Sequence, residues 1–171
     1  NYTYGSVFNA SNPSLISIDS NTGTDVTGVN STYTADGGDC AFDTQRNRIA
    51  ILYNVSLSSQ LKINSLTISS GSPSDIKSAH DLVTNNYYDY CAFAFDTSIN
   101  RFLVIGRTNT GYCHAWIAEM DASGNMTGAS SLVGWGSGNG LGQYLSVASN
   151  NAGKWTVLSR NDAQTGSYFT V

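Results

Sequence analysis

"AFDTQRNRIAIL" occupies Ala41–Leu52 and "AFDTSINRFLVI" occupies Ala94–Ile105. The phrases superimpose at Asp43 and Asp96, Asn47 and Asn100, Arg48 and Arg101, Ile51 and Val104, a spacing of 53 residues. A further step of 53 lands on "VASNNAGKWTVL" (Val147–Leu158), where Ser149 replaces the Asp, Gly153 the Asn, Lys154 the Arg and Trp155 the aromatic. Three copies at one spacing are the signature of a repeat architecture.

Each copy reads as strand, tight turn, strand. "CAFAFD" and "RFLVIGR" are short and rich in aromatic and β-branched residues, with "TSIN" between them. An Asp or Ser that opens such a loop accepts hydrogen bonds from the backbone N–H groups just ahead of it. Asn47, Asn100 and Gly153 share one place, and Asn and Gly are the types that tolerate a left-handed closing residue. Asp43, Asn47, Asp96, Asn100, Ser149 and Gly153 are therefore expected to be structural turn residues. The second strand, Phe102, Leu103, Val104 and Ile105, echoed by Ile49, Ala50, Ile51 and Leu52, is apolar without alternation, which predicts cover on both faces.

Downstream, "CHAWIAEMDASGNMTGASSLV" predicts a third strand, a DASGN turn and a weaker fourth strand. Its counterpart "INSLTISSGSPSDIKSAHDLV" ends in "AHDLV", which mirrors "ASSLV". A short capped helix from Ser74 is the alternative there, and the mirror favours a strand. Four strands per unit of about 50 residues is the arithmetic of a propeller blade. These phrases resemble the degenerate β-propeller repeats of large secreted and virus- or phage-surface proteins, and "LISIDSNTGTDV" (Leu15–Val26) is similar to the end of such a blade. The fold expected is all-β, a propeller-like array of four-stranded antiparallel blades. Residues 1–38 would form a partial blade, 39–90 and 91–143 whole blades, and 144–171 a second partial one. Blades incomplete at both termini would leave strand edges for self-association or pairing with a neighbouring chain. Repeated head to tail, that pairing would build a filament.

Composition narrows the setting. Charged residues are 12% of the chain, about half the usual share, and the net charge of −4 is spread without runs. Nucleic acid and anionic membranes thus meet no basic patch, and no apolar stretch approaches a membrane span. An extracellular or virion-surface location fits this Ser-, Thr-, Asn- and Gly-rich sequence. Five Asn-x-Ser/Thr sites, at Asn1, Asn9, Asn30, Asn54 and Asn125, permit glycosylation. With 17 Asn, and 40 Ser plus Thr in 171 residues, chance alone yields about 4 such sites, so their number proves nothing. Three cysteines, Cys40, Cys91 and Cys113, are an odd count without metal-ligand spacing. Small apolar core residues are one reading of them, and a Cys40–Cys91 disulfide is another.

For chemistry the chain offers little. Asp43 and Asp96 lack a partner acid or base in the repeat, and Ser149 stands in the third copy. Arg48, Arg101 and Lys154 could form a cationic ring, as in sialidases, which share the propeller. Those enzymes need a Tyr nucleophile with Glu and Asp helpers, and Glu119 is the single Glu. "SNNAGKW" (Ser149–Trp155) loosely resembles their Asp-box, with Asn151 for the Asp and one residue fewer. Tyr87, Tyr88, Asp89 and Trp135, in "NNYYDYC" and "VGWGSGNGLGQY", are candidate glycan-stacking residues on inter-blade connections, or wedges between blades. No cofactor or metal is expected. The sequence favours a non-enzymatic structural or adhesive role, with a carbohydrate-binding module second and a propeller glycoside hydrolase fragment third.

Overall fold

The computed structural model describes residues 7–12, 15–20, 35–55, 60–70, 72–83, 88–108, 113–135, 141–161 and 167–170. Among them every regular element is a strand. β1 (Val7–Asn12) and β2 (Leu15–Ser20) pair as a first, two-stranded sheet. β3 (Ala35–Asp43), β4 (Arg48–Val55) and β5 (Gln60–Ser69) form a meander, and β6 (Ser72–Ser74) and β7 (His80–Val83) both pair with β5 to complete the second sheet. The third sheet is β8 (Tyr88–Asp96), β9 (Arg101–Thr108), β10 (Cys113–Met120) and β11 (Met126–Trp135), in sequential order. The fourth is β12 (Leu141–Ser149), β13 (Trp155–Asn161) and β14 (Ser167–Thr170). All pairs are antiparallel. The fold is all-β and propeller-like, with the inner strand β8 lying beside β3 on one side and β12 on the other.

His80–Val83 is a strand, not a helix: it pairs with β5, and the pairing sets Asp81 opposite Lys62, where the two form an ion pair at 2.6 Å.

Two apolar cores lie between successive sheets. Ala50, Leu52, Leu61 and Ile63 of the second sheet meet Phe93, Phe95, Phe102, Val104, Trp116, Ala118 and Met120 of the third. Leu103, Ile105 and Ala115 of the third meet Val157, Leu145, Val147 and Trp155 of the fourth. The alternating residues of β9 thus enter different cores, which is why its sequence does not alternate. Phe102 is completely buried, with its ring 4.8 Å from Phe95 and 5.8 Å from Phe93, and its loss to Ala should cost about 3–5 kcal/mol. β4 differs. Ala50 and Leu52 are buried against the third sheet, whereas Ile49 and Ile51 on the opposite face are half-buried, and Phe42 opposite Ile49 is 50% exposed.

Candidate functional site

The three hairpin turns are built from the repeated polar residues. Asp43 Oδ1 accepts the N–H groups of Gln45 and Arg46 at 2.9 and 3.1 Å. Asp96 Oδ1 accepts those of Ser98 and Ile99 at 2.8 and 3.3 Å. Asn47, Asn100 and Gly153 have φ of 53, 56 and 78°, the left-handed region that Asn and Gly enter at least cost. The third hairpin departs from the strict spacing. Ser149, not Lys154's partner, pairs with Trp155, so the loop is one residue longer than Thr97–Asn100. Asn150 adds a second acceptor to this longer loop, its Oδ1 accepting Ala152 and Lys154 N–H at 2.9 and 3.1 Å. Ser149 Oγ accepts Asn151 N–H at 2.8 Å and turns towards the preceding sheet.

These turns also bond one another, a function no single hairpin reveals. Asp96 Oδ2 accepts Ser149 Oγ–H at 2.7 Å and Gly153 N–H at 2.9 Å from the next hairpin. Thr97 N–H donates to Asn151 Oδ1 at 3.2 Å. Between the first two hairpins, Arg46 Nη1 donates to Asp43 Oδ2 at 2.7 Å and to Asn100 Oδ1 at 2.6 Å, and Gln45 Nε2 to Thr97 O at 2.8 Å. Asp39, half-buried at the sheet boundary, accepts Phe93 N–H at 2.9 Å. The second sheet is thus fastened to the third, and the third to the fourth, by charged and amide side chains around apolar cores.

The three cations of the repeat do not converge. Arg48 is buried, donating to Ser65 Oγ at 2.9 Å and to Asp75 Oδ2 and O at 2.7 Å each. It packs against Gly124 of the DASGN turn, whose carbonyl accepts Ser65 Oγ–H and whose φ is 89°. Arg46 Nε adds a bond to Asp121 O at 3.0 Å. Arg101 is half-exposed and pairs with Glu119 at 2.9 Å, and Lys154 is exposed.

Asp96 shows how these bonds act on charge. Desolvation raises its pKa, but hydrogen bonds from the Ser98 and Ser149 hydroxyls and from the Gly153 and Ser98 amides outweigh it and hold the carboxyl far below the usual range. Hydrogen bonds from Lys77 and Arg48 lower Asp75, and those from Asn125 lower Asp121. The other carboxylates with described side chains are likewise committed, Asp81 to Lys62 and Glu119 to Arg101. Among the described residues no three His, Cys, Asp or Glu side chains gather as a metal site.

The candidate Cys40–Cys91 bridge is not formed, and the three cysteines are free thiols. Cys91 faces the core between the second and third sheets, whereas Cys40, paired with Ile51, lies on the opposite face of β3. Burial, then the charge of Asp39, raises both thiols, Cys91 to about 12.

Of the glycan-stacking candidates, Tyr87 lies outside the described residues. Tyr88, Asp89 and Trp135 belong to strands β8 and β11, not to connections, because the ladders extend to Tyr88↔Thr108 and Cys113↔Trp135. Tyr88 and Trp135 thus stand at one end of the third sheet, with β9 and β10 between them. At about 4.8 Å per strand their backbones are roughly 14 Å apart. Of the glycosylation candidates, Asn1 and Asn30 lie outside the described residues, and Asn9 is in β1. Asn125 is exposed, donating to Asp121 Oδ2 at 3.0 Å. Asn54 is completely buried in β4, so the folded chain has no room for a glycan there.

No protein-family model matches the sequence, and no curated protein is significantly similar to it. Among solved structures, the chain is similar to an exo-β-1,3-galactanase from Phanerochaete chrysosporium crystallised with β-1,3-galactotriose. The TM-score is 0.55 at 13% identity, and the match covers 92% of this chain and 37% of that one. The chain therefore spans well under half of that protein's length, and the likeness shows the propeller-like β fold alone.

Proposed function

We propose that this chain is a non-enzymatic structural and adhesive module of an extracellular or virion surface, a stack of sheets that associates with neighbouring chains. The observation that carries this reading is the use made of its charged side chains. Asp39, Asp43 and Asp96 bind backbone amides or the adjoining sheet, Arg46 and Arg48 seal the same boundaries, and the remaining described acids are held by cations or turn amides. A hydrolytic site instead needs two acids free to exchange protons with substrate. Sedimentation velocity over a concentration series, with negative-stain imaging, tests the assembly. A monomer at every concentration would remove it.

One observation favours a second reading, a glycan-binding or glycan-cleaving propeller module. The fold resembles that of a galactanase bound to a trisaccharide. Tyr88, Asp89 and Trp135 at the end of the third sheet are the residues such a site would use. Titration with β-1,3-galactotriose, comparing tryptophan emission of the parent and Trp135→Phe and assaying released reducing ends, separates binding from hydrolysis.

A further inference from the structure

Attaching a glycan to asparagine makes two separate demands. The acceptor must be reached as the chain emerges, which the Asn-x-Ser/Thr pattern serves, and the folded chain must leave the sugar in solvent. The fold treats its acceptors differently on the second demand. Asn54 lies in β4 between β3 and β5, paired with the core residue Leu61, and is completely buried. A sugar there would keep β4 out of its sheet.

Asn125 stands in the opposite setting. It closes the turn between β10 and β11, where Asp121 N–H donates to Asn125 O at 2.9 Å. Asp121 Oδ1 in turn accepts Ser123 and Asn125 N–H at 2.8 and 2.9 Å. The turn holds the Asn125 side chain exposed. Thr127 is exposed as well, while Met126 between them is buried at 4% exposure. Strand alternation thus sends the middle residue into the core and leaves the acceptor and the hydroxyl outside. β11 is an end strand of its sheet, and a bulge at Gly128 follows at once, because Glu119 pairs with Thr127 but Ala118 with Ala129. A Cβ at Gly128 would meet no described atom within 4 Å, so the space beside the acceptor is open.

The contact that Asn125 already makes is compatible with attachment. Its Nδ2 donates to Asp121 Oδ2 at 3.0 Å. A carboxamide nitrogen carries two hydrogens, and a glycan replaces one, leaving the other for this bond.

We propose that Asn125 is an N-glycosylation site that takes its oligosaccharide from a lipid diphosphate-linked donor. Asn125 Nδ2 bonds to C1 of the first sugar as the bond from C1 to the phosphate oxygen breaks. The lipid diphosphate leaves, and the displaced amide proton passes to solvent. The sugar stands at the hairpin-turn end of the third sheet, where Arg46 of the first hairpin reaches Asp121 O. It guards the start of that end strand against pairing with another chain.

This proposal rests on the extracellular part of the reading above, and the test separates the two. The full chain is made in cultured eukaryotic cells behind a secretory leader. The leader supplies the compartment, so the outcome reports on the site and not on the native location. Treatment with peptide:N-glycosidase turns each glycosylated Asn into Asp, and peptide mapping by mass spectrometry identifies it. In the secreted chain Asn125 should be converted and Asn54 should not. Thr127→Val keeps the bond between Asn125 and Asp121 but removes the hydroxyl, and should abolish conversion of Asn125. Thr127→Ser should retain it. Asn125→Gln should remove one glycan from the intact mass, and either variant serves if the other fails to fold. An unconverted Asn125 in the parent, whether secreted or retained in the cells, overturns the proposal. Conversion of Asn125 that persists in Thr127→Val, or conversion of Asn54 in the secreted chain, overturns it as well.

Discussion

Ser149 Oγ donates to Asp96 Oδ2 at 2.7 Å across the boundary between the third and fourth sheets. The other oxygen of Asp96 is occupied by its own turn, with Ser98 N–H at 2.8 Å. One carboxylate thus closes one hairpin and fastens the next.

Replacing Asp96 by Asn keeps the shape but removes the charge and turns one acceptor oxygen into a donor amide facing Ser149 and Gly153. Thermal unfolding should show Tm lower by roughly 4–8 °C, against under 2 °C for the exposed control Ser123→Ala. An unchanged Tm would mean that the bond between the sheets contributes nothing.

The same carboxylate predicts an acid limb. Its pKa is depressed in the folded state, so its stabilisation is fully present above the unfolded value of about 4. That stabilisation is lost as pH falls below this value towards the folded one. Denaturant midpoints between pH 6 and pH 2 should decline below about pH 4 in the parent and less steeply in Asp96→Asn. Parallel curves would assign the acid sensitivity to other groups.

Gly124→Ala should be among the most damaging single-methyl changes. A Cβ there would collide with the guanidinium of Arg48, and φ of 89° is strained for any L side chain. A loss of about 2–4 kcal/mol is expected in urea unfolding. The double variant Gly124→Ala with Arg48→Ala should lose less than the sum of the singles, because the collision partner is gone. Strict additivity would place the cost in the backbone alone.

Thiol labelling should rank by exposure and charge. Cys40 is exposed, and Cys91, raised to about 12, is almost wholly thiol at pH 8. N-ethylmaleimide should therefore modify Cys40 in the folded chain and leave Cys91 until the chain unfolds. Asp39→Asn removes a negative charge that raises the Cys40 pKa, and should speed its labelling severalfold if the variant stays folded. Peptide mapping by mass spectrometry reads both outcomes.

Local rules made the hairpins legible. A turn's hydrogen bonds and its left-handed residue involve neighbours in the chain, so Asp43, Asn47, Asp96 and Asn100 announce their geometry by residue type. The apolar run of β9 likewise declared itself buried twice, because a strand between two sheets presents both sides to apolar surroundings. The third hairpin was harder to place. Its one-residue lengthening, which brings in Asn150 as a second acceptor beside Ser149, appears only when strand pairing sets the register. Long-range partners were also hidden. Nothing in the sequence tells Asp96 to meet Ser149, Arg46 to meet Asn100 or Arg48 to meet Gly124, because those meetings depend on how sheets stack. Strand periodicity and turn chemistry are properties of the chain itself. The fastening of sheet to sheet, the burial of Asn54 and the exposure of Phe42 arise only when faces distant in sequence are brought together.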